Sequence, residues 1–342
     1  MLLVIIGSTL SLGTALSVTS IPLIIYTTYK IDPRNYLQRF VKLFFYIALI
    51  SIILFTIIRL FGFNSFSGIF PHLYTSFYRE GQVYSYGGFL YRFVTLHSDR
   101  NCGPFGEPGQ YQCVLAVALY FTLFRPLLFK EKERMLYMIV FFFALITTLS
   151  TSGYISLSIL IFCFLLHSSR TTDKRMKKIY IAMIIGTVFF MSTTKVGSEF
   201  MNTVIFHKIY ANGQLDFSLS SGGARTISIS SVLSTIYHHP ITLVGVGYDE
   251  LRNMGVGGCA GFLFLLLAIG IMPFSILFGF CFYQVFKYNK GIWDIIVRIL
   301  LVLNMGLGQP HIMNFALFTM MLYPYFIANS FKKTNTYYVR DC

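Results

Sequence analysis

Residues 41 to 63 read VKLFFYIALISIILFTIIRLFGF, and only Lys42 and Arg59 among them are charged. An α-helix of about 20 mainly apolar residues is long enough to cross the hydrocarbon core of a bilayer. Similar apolar runs recur along the chain, so that 55% of its 342 residues are hydrophobic and only 12% are charged. This composition excludes a soluble domain with a polar shell and predicts an all-α polytopic membrane protein, with the lipid bilayer as its first partner.

Lysines and arginines are concentrated in short connectors between the apolar runs, which accounts for the net charge of +14 without a nucleic-acid partner. Because such basic connectors stay in the cytoplasm, their positions set the topology. They predict a single membrane domain over residues 1 to 342 with about nine transmembrane helices (8–11), the N-terminus outside and the C-terminus in the cytoplasm. The predicted spans cover about residues 2–27, 41–63, 111–124, 135–149, 155–166, 179–194, 259–286, 292–306 and 312–330.

Two longer polar stretches separate the spans and are predicted to lie on the outer face. The first large outer loop covers residues 64–110 and is rich in tyrosine, which suits the membrane interface or stacking on sugar rings. The second large outer loop covers residues 195–257. Within it, residues 227 to 237 carry apolar side chains at helical spacing, which predicts a short helix lying against the membrane.

The apolar runs themselves contain few polar signals. Asp294 and Arg298 stand four residues apart, which predicts an ion pair along one helix. The six cysteines form no zinc-binding pattern and lie mostly in or beside apolar runs, so they are predicted to be small buried side chains. The alternative is a disulfide on the outer face that joins Cys102 to Cys113 or to Cys259.

The first outer loop ends in Arg100-Asn-Cys-Gly-Pro-Phe-Gly-Glu-Pro-Gly-Gln-Tyr111, called the corner segment below. A second arginine turn, Ser221-Gly-Gly-Ala-Arg225, lies in the second loop. A planar guanidinium binds phosphate through two parallel hydrogen bonds, and neighbouring glycines let a ligand approach the backbone. Arg100 and Arg225, with Arg252 in the same second loop, are therefore predicted to bind a phosphate group. The alternative is that each is solvated or held at the membrane interface.

Carboxylates and histidines near these arginines are candidates for a general base. Glu107 follows Arg100 by seven residues and precedes a proline, so it either starts the next helix or takes a proton from a substrate hydroxyl. His239 and Asp249 flank Gly245-Val-Gly247 and provide a second set of candidate bases. Because no third ligand at metal-binding spacing accompanies the histidines, the sequence predicts neither a metal nor another cofactor.

Four short motifs occur in a characteristic order. They resemble the Wzy-type O-antigen polymerase and O-antigen ligase superfamily over about residues 95 to 330. The motifs are the corner segment, the turn Ser150-Thr-Ser-Gly-Tyr154, the turn that ends in Arg225, and His239-Pro-Ile-Thr-Leu-Val-Gly-Val-Gly247. One departure separates the two branches of the superfamily. Gly257-Gly-Cys-Ala-Gly-Phe262 stands where ligase-like members have a histidine followed by an asparagine, which favours the polymerase.

The resemblance implies a GT-C-like helical enzyme on the outer face of the bacterial inner membrane. Such an enzyme joins O-antigen or capsule repeat units carried on undecaprenyl pyrophosphate, as a metal-independent, inverting glycosyltransferase that uses no nucleotide sugar. The arginines named above would bind the pyrophosphate of this lipid-linked oligosaccharide, because the charge that develops on it in the reaction needs fixed cations. A membrane protein that regulates chain length is an expected partner.

Two other functions remain open from the sequence. One is an O-antigen ligase-like glycosyltransferase, and the other is a transporter or flippase of polyprenyl-linked glycans. A transporter typically has repeated halves and charged or broken helices at the membrane midplane. Here the unusual residues are predicted to lie outside and the spans are nearly free of charge, so the sequence favours the enzyme. A non-enzymatic assembly subunit would need neither arginine turn.

Overall fold

The computed structural model of the chain is mostly helical in the part that it describes. The described residues are 12–33, 35–65, 68, 70, 72–78, 81–167, 171–194, 210–211, 214–215, 230, 232–234, 245–253, 261–288, 291–308 and 314–331. The α-helices in them are α1 (Leu12–Ile31), α2 (Tyr36–Phe61), α3 (Pro108–Phe124), α4 (Glu131–Thr147), α5 (Thr151–His167), α6 (Thr171–Thr193), α7 (Tyr248–Asn253), α8 (Gly261–Ile269), α9 (Ile271–Tyr288), α10 (Ile292–Gly308) and α11 (Phe315–Phe331).

Two of these helices are both long and apolar enough to cross a membrane. Helix α2 has 26 residues and a mean hydropathy of 2.6, and α9 has 18 residues and a mean hydropathy of 1.3. Helices α3, α4, α5, α10 and α11 have 17 residues each. Most predicted spans coincide with described helices, although several helices begin earlier than their predicted spans.

The stretch predicted to form the first outer loop contains a three-stranded antiparallel sheet, which was not expected from the sequence. Its strands are β1 (His72–Tyr78), β2 (Gly81–Gly87) and β3 (Arg92–Val94), in the order β1-β2-β3. The prediction of an all-α chain is therefore wrong for this loop. Its many tyrosines, interpreted above as interface anchors, also favour extended backbone. In the predicted second loop the structure describes a short antiparallel pair of strands, β4 (Tyr210–Ala211) and β5 (Gln214–Leu215). Of the helix predicted over residues 227–237 it describes residues 230 and 232–234, and all four are helical.

Helix α3 is the centre of the bundle. Every residue of it except Gln110 is buried, and it packs against α2, α4, α5 and α11. Its C-terminal end is held by Arg134 of α4, whose Nε and Nη2 donate to the carbonyls of Thr122 and Leu123, both at 2.7 Å. These carbonyls belong to the last turn of α3, where the helix itself provides no partners. The arginine thus fixes the turn between α3 and α4.

A buried ionic cluster joins α3, α10 and α11. The Asp294 carboxylate accepts hydrogen bonds from Tyr120 at 2.6 Å, from Arg125 at 2.7 Å and from Arg298 at 2.8 Å. Arg298 also donates to Tyr120 at 2.5 Å and to the hydroxyl of Tyr323. The predicted pairing of Asp294 with Arg298 is confirmed, whereas the contribution of Arg125 and the two tyrosines was not predicted.

Apolar side chains are exposed in stripes along several helices. On α9 they recur at a spacing of three or four residues, which places them on one face of the helix. Their exposed fractions are 57% for Met272, 62% for Ile276, 46% for Phe280 and 54% for Tyr283. Helix α6 exposes Ile181, Ile185 and Phe189 in the same way. Large apolar side chains are therefore exposed along α6 and α9, while the charged side chain of Arg298 is buried.

The predicted span over residues 259 to 286 is interrupted. Gly270 has a φ of +84° and separates α8 from α9, so the prediction of one continuous helix is wrong at this point. The last carbonyls of α8 accept hydrogen bonds from the backbone of the Gly245-Val-Gly247 segment, from Val246 to Leu267 at 3.1 Å and from Gly247 to Ala268 at 2.9 Å. This segment therefore caps α8 with its backbone, which gives the glycine motif a structural role.

We expect Gly245→Ala to destabilise the protein strongly. A Cβ atom at residue 245 would lie 2.3 Å from the carbonyl carbon and oxygen of Ala268, and neither is a side-chain atom that can move away. Chemical unfolding in detergent measures the effect. The matched control is Gly279→Ala in α9, where a Cβ meets no atom within 4 Å. Equal stability of the two variants would show that the segment does not pack against α8 as described.

Candidate functional site

The corner segment lies between the sheet and the turn that joins α4 to α5. Its Gly103 carbonyl accepts a hydrogen bond from the backbone of Arg92 in β3 at 2.6 Å, and the backbone of Asn101 donates to the Thr147 carbonyl at 3.0 Å. At its end, Pro108 begins α3. The segment is therefore fixed on three sides, by a strand, by a helix turn and by the central helix.

The Arg100 side chain binds the turn between α4 and α5. Its Nε donates to the Thr148 carbonyl at 3.2 Å, and its Nη2 donates to the Leu149 carbonyl at 2.9 Å. Leu149 has a φ of +48°, which turns the chain sharply into the Ser150-Thr-Ser-Gly-Tyr154 motif. The corner segment is thus hydrogen-bonded to the two residues that precede the Ser150–Tyr154 motif. The Nη1 of Arg100 has no hydrogen-bond partner among the described residues.

A buried polar network supports the corner segment from inside. Asn101 donates to the hydroxyls of Ser51 at 3.2 Å and Thr147 at 3.0 Å, and its Oδ1 accepts from the backbone of Gly103 at 2.9 Å. Ser51 is in turn 2.7 Å from the hydroxyl of Tyr111. Gly103 has a φ of +54° and lies against the Tyr111 ring, where a Cβ would approach Cζ to 2.7 Å. Sequence reasoning missed Asn101 and Ser51.

Glu107 occupies the N-cap position of α3, and its side chain makes no capping hydrogen bond. Its backbone carbonyl accepts from Gln110 at 3.2 Å and from Tyr111 at 3.3 Å, so the backbone alone begins the helix. The carboxylate is partly exposed and forms no ion pair within 4 Å among the described residues. The alternative to catalysis, that Glu107 starts the helix, is confirmed by its N-cap position, where the helix dipole favours its negative charge. Its side chain is not the group that caps the backbone.

Four charged side chains act electrostatically on the buried thiol of Cys102. Burial is the main cause that raises the pKa of this thiol to about 12, so it stays protonated at neutral pH. Arg100 and Arg92 act against this rise, and Glu107 and Asp99 add to it. All four are therefore close enough to Cys102 to interact with it electrostatically. Arg92 and Asp99 are the two members that were not predicted from the sequence. No glycine adjoins Arg92, and its position only eight residues before Arg100 was the available signal.

His97 precedes the corner segment, and its carbonyl accepts a hydrogen bond from the backbone of Arg100 at 2.9 Å. Burial, with a further contribution from the positive charge of Arg100, lowers the pKa of His97 to about 4, while Asp99 opposes the change. The imidazole is therefore neutral at neutral pH. A neutral imidazole beside Arg100 is a further proton acceptor at this site.

We expect the stability of the protein to fall as the pH is lowered from about 6.5 to about 4. The folded-state pKa of His97 is below its ordinary value, so the unfolded chain binds more protons in this range and acid favours unfolding. His97→Gln should flatten that part of the stability profile and leave the values above pH 7 nearly unchanged. Melting temperatures of both proteins across this range provide the comparison. An unchanged slope in the variant would contradict the burial of His97.

The other predicted site residues are described only in part. Arg225 and His239 lie outside the described residues. Asp249 and Arg252 lie in α7, which follows the segment that caps α8, but the structure describes only their backbone. The structure therefore brings together Arg100 and Glu107 from the predicted set, and leaves the convergence of the two loops as a prediction.

Cysteines and metal ligands do not form a second site in the described part of the chain. Cys102, Cys113, Cys163 and Cys281 are buried free thiols, so the alternative of a disulfide between Cys102 and Cys113 is wrong. Cys259 lies outside the described residues. Among the residues described, no group of three or more His, Cys, Asp or Glu side chains is arranged to hold a metal ion.

Comparisons with known proteins do not assign the chain to a family. No protein-family model, no curated protein and no solved structure matches it.

Proposed function

We propose that this protein is a polytopic enzyme of the bacterial inner membrane that polymerises undecaprenyl-pyrophosphate-linked repeat units of a surface polysaccharide. The exposed apolar stripes on α6 and α9 support its placement in a bilayer, because large exposed apolar surfaces on a protein require an apolar partner. The 17-residue helices are at the lower limit, about 17 residues, of what spans the hydrocarbon.

The proposed activity rests on the charged groups in and beside the corner segment at the start of α3. Arg100, Arg92 and the Glu107 carboxylate all act electrostatically on Cys102, and the carboxylate makes no capping hydrogen bond to the helix. A diphosphate leaving group carries several negative charges, and fixed guanidinium groups stabilise the charge that develops on it. A carboxylate or a neutral imidazole nearby is suited to accept the proton of the attacking hydroxyl. Both types of group are present at this one end of the bundle.

The proposed reaction is a single displacement at the anomeric carbon of the donor glycan. The acceptor hydroxyl oxygen forms the new bond to this carbon while the bond from the carbon to the pyrophosphate oxygen breaks. The hydroxyl proton passes to the general base, and undecaprenyl pyrophosphate leaves with its charge held by the arginines. One displacement inverts the configuration of the anomeric carbon. Arg100 and Arg225, with Arg252, are the proposed diphosphate ligands, and Glu107, His239 and Asp249 are the proposed bases.

One observation favours the second candidate, a transporter or flippase of the same lipid-linked glycans. The interruption at Gly270 creates the short helix α8, and the backbone of Val246 and Gly247 caps its C-terminal end. Broken helices of this kind occur at the substrate sites of transporters. However, the described ionic cluster around Asp294 is closed by hydrogen bonds within the protein. The Nε of Arg92, which lies in β3 beside the corner segment, has no hydrogen-bond partner among the described residues. The enzyme therefore remains the better-supported function.

We expect Glu107→Gln to reduce polymer formation more than His239→Ala does. Glu107 is close enough to Arg100 to interact with it electrostatically, and its side chain does not cap α3. The substitution therefore removes mainly a carboxylate that accepts a proton. The test expresses each variant in a strain that lacks the gene, and measures polymer length and the amount of single repeat units on the lipid carrier. The reverse ranking would transfer the role of base to the second loop.

A further inference from the structure

Arg92 is held by its backbone at a defined place beside the corner segment. It lies in β3, opposite Gly87 of β2, and its backbone N–H donates to the carbonyl of Gly103 at 2.6 Å. This hydrogen bond joins the sheet directly to the glycine that turns the corner segment. The position of the Arg92 side chain relative to Arg100 is therefore set by the fold and does not depend on a free loop.

The guanidinium of Arg92 has unused hydrogen-bonding capacity. Its Nε is buried and has no hydrogen-bond partner among the described residues. A charged donor that is buried without a partner is unfavourable, and such groups are usually satisfied by a ligand or by water. Arg92 also forms no ion pair within 4 Å in the described part of the chain, although Asp99 and Glu107 are in the same cluster.

Gly106 leaves room next to this guanidinium. A Cβ at residue 106 would lie 3.6 Å from Nη1 of Arg92, an ordinary contact distance, so any larger side chain would extend over the guanidinium. Gly106 has no such side chain, so residue 106 approaches Arg92 with its backbone alone. Arg100 lies in the same segment and has a free Nη1 in this part of the chain.

We infer that Arg92 and Arg100 together bind a diphosphate group, with Arg92 as a ligand that holds it against the backbone of Gly106. This inference rests on the proposed function for the identity of the ligand, a polyprenyl diphosphate headgroup. Two guanidinium groups match the two phosphoryl groups of such a ligand, and each can donate more than one hydrogen bond to them. The diphosphate oxygens supply the partner that the buried Nε of Arg92 lacks.

Binding of two probes to the full-length protein in detergent tests the inference. The probes are inorganic pyrophosphate and farnesyl diphosphate, so that the free anion and the lipid headgroup are distinguished. We expect Arg92→Gln to weaken the binding of farnesyl diphosphate by at least about tenfold, the loss typical of one charge-assisted hydrogen bond. Arg59→Gln is the matched control, since Arg59 is an exposed arginine at the end of α2 and should leave binding unchanged.

A second pair of variants tests the site without removing any charge. Gly106→Leu should cover the Arg92 guanidinium and weaken binding as much as Arg92→Gln does, whereas Gly106→Ala should bind nearly as well as the wild type. In the unsubstituted protein, phenylglyoxal should modify Arg92, and farnesyl diphosphate should protect it, as mass spectrometry of the peptides would show. This readout does not depend on the folding of any variant.

Three results would overturn the inference. These are unchanged affinity in Arg92→Gln, equal affinity of the two Gly106 variants, or modification of Arg92 at the same rate with and without the probe. Tighter binding of inorganic pyrophosphate than of farnesyl diphosphate would reject the lipid headgroup as the ligand. The binding assay requires no glycosyl transfer, so a protein that binds both probes but forms no polymer would refute the proposed function and leave the diphosphate site in place.

Discussion

Asp294→Ala is expected to lower the free energy of unfolding by about 3–5 kcal/mol, the cost of removing one partner from a buried ion pair. The carboxylate is the only acidic member of the described cluster, and it is 5% exposed. Without it, the guanidinium groups of Arg125 and Arg298 lose the charge that offsets them, and Arg298 is fully buried. Tyr120 also loses the acceptor of its 2.6 Å hydrogen bond. The substitution therefore weakens the contacts of α10 with both α3 and α11.

Chemical unfolding of the purified variants in detergent measures this effect, and Asp32→Ala is the matched control. Asp32 pairs with Arg39 at 3.0 Å, but the Arg39 side chain is 74% exposed, so this pair contributes only about 0–1 kcal/mol. Asp294→Asn keeps an acceptor for Tyr120 and removes the charge, and should fall between the two. A loss no larger in Asp294→Ala than in Asp32→Ala would mean that the cluster is not what holds these helices together.

Arg100→Ala should reduce polymer synthesis by at least about a hundredfold, the typical effect of removing one group that stabilises developing charge. Two causes act in the same direction. The variant loses a proposed ligand of the leaving pyrophosphate, and it also loses the hydrogen bonds that hold the carbonyls of Thr148 and Leu149. Arg100→Lys keeps the charge but cannot bind both carbonyls with the same planar fork, so we expect it to restore little activity.

The measurement for Arg100 compares polymer length and single lipid-linked repeat units in cells that produce each variant. Arg59→Ala is the control, because Arg59 is an exposed arginine in the last turn of α2. Arg225→Ala should show the same accumulation of single repeat units if the second arginine turn serves the same step. Normal chain lengths in both Arg100 variants would remove the corner segment from the proposed mechanism.

Much of the helical arrangement could be predicted because the signal is local. An apolar run such as residues 41 to 63 determines its own helix, and α2 covers most of it. The pairing of Asp294 with Arg298 follows from helical spacing alone. Arg100 and Glu107 were also identified as candidates, because glycines and prolines around them mark an unusual backbone. What these residues contact, however, depends on elements that lie far away in the sequence.

The remaining features depend on tertiary contacts that no local pattern reveals. The hydrogen bonds of Arg100 to the turn between α4 and α5 cross almost fifty positions in the chain, and those of Arg125 and Tyr120 to Asp294 cross many more. The sheet that carries Arg92 was hidden because tyrosines suit both a membrane interface and a strand. The break at Gly270 was missed because a single glycine is tolerated in a helix, whereas here a distant backbone segment caps the carbonyls before it.

Reconstitution of the purified protein in lipid with one defined undecaprenyl-pyrophosphate-linked repeat unit tests the central claim most directly. We expect the wild-type protein to join repeat units into a ladder of polymers and to release undecaprenyl pyrophosphate without added metal or nucleotide sugar. Arg100→Ala should form no ladder. Movement of the intact lipid-linked unit across the bilayer, with no new glycosidic bond, would contradict the account and establish the transporter.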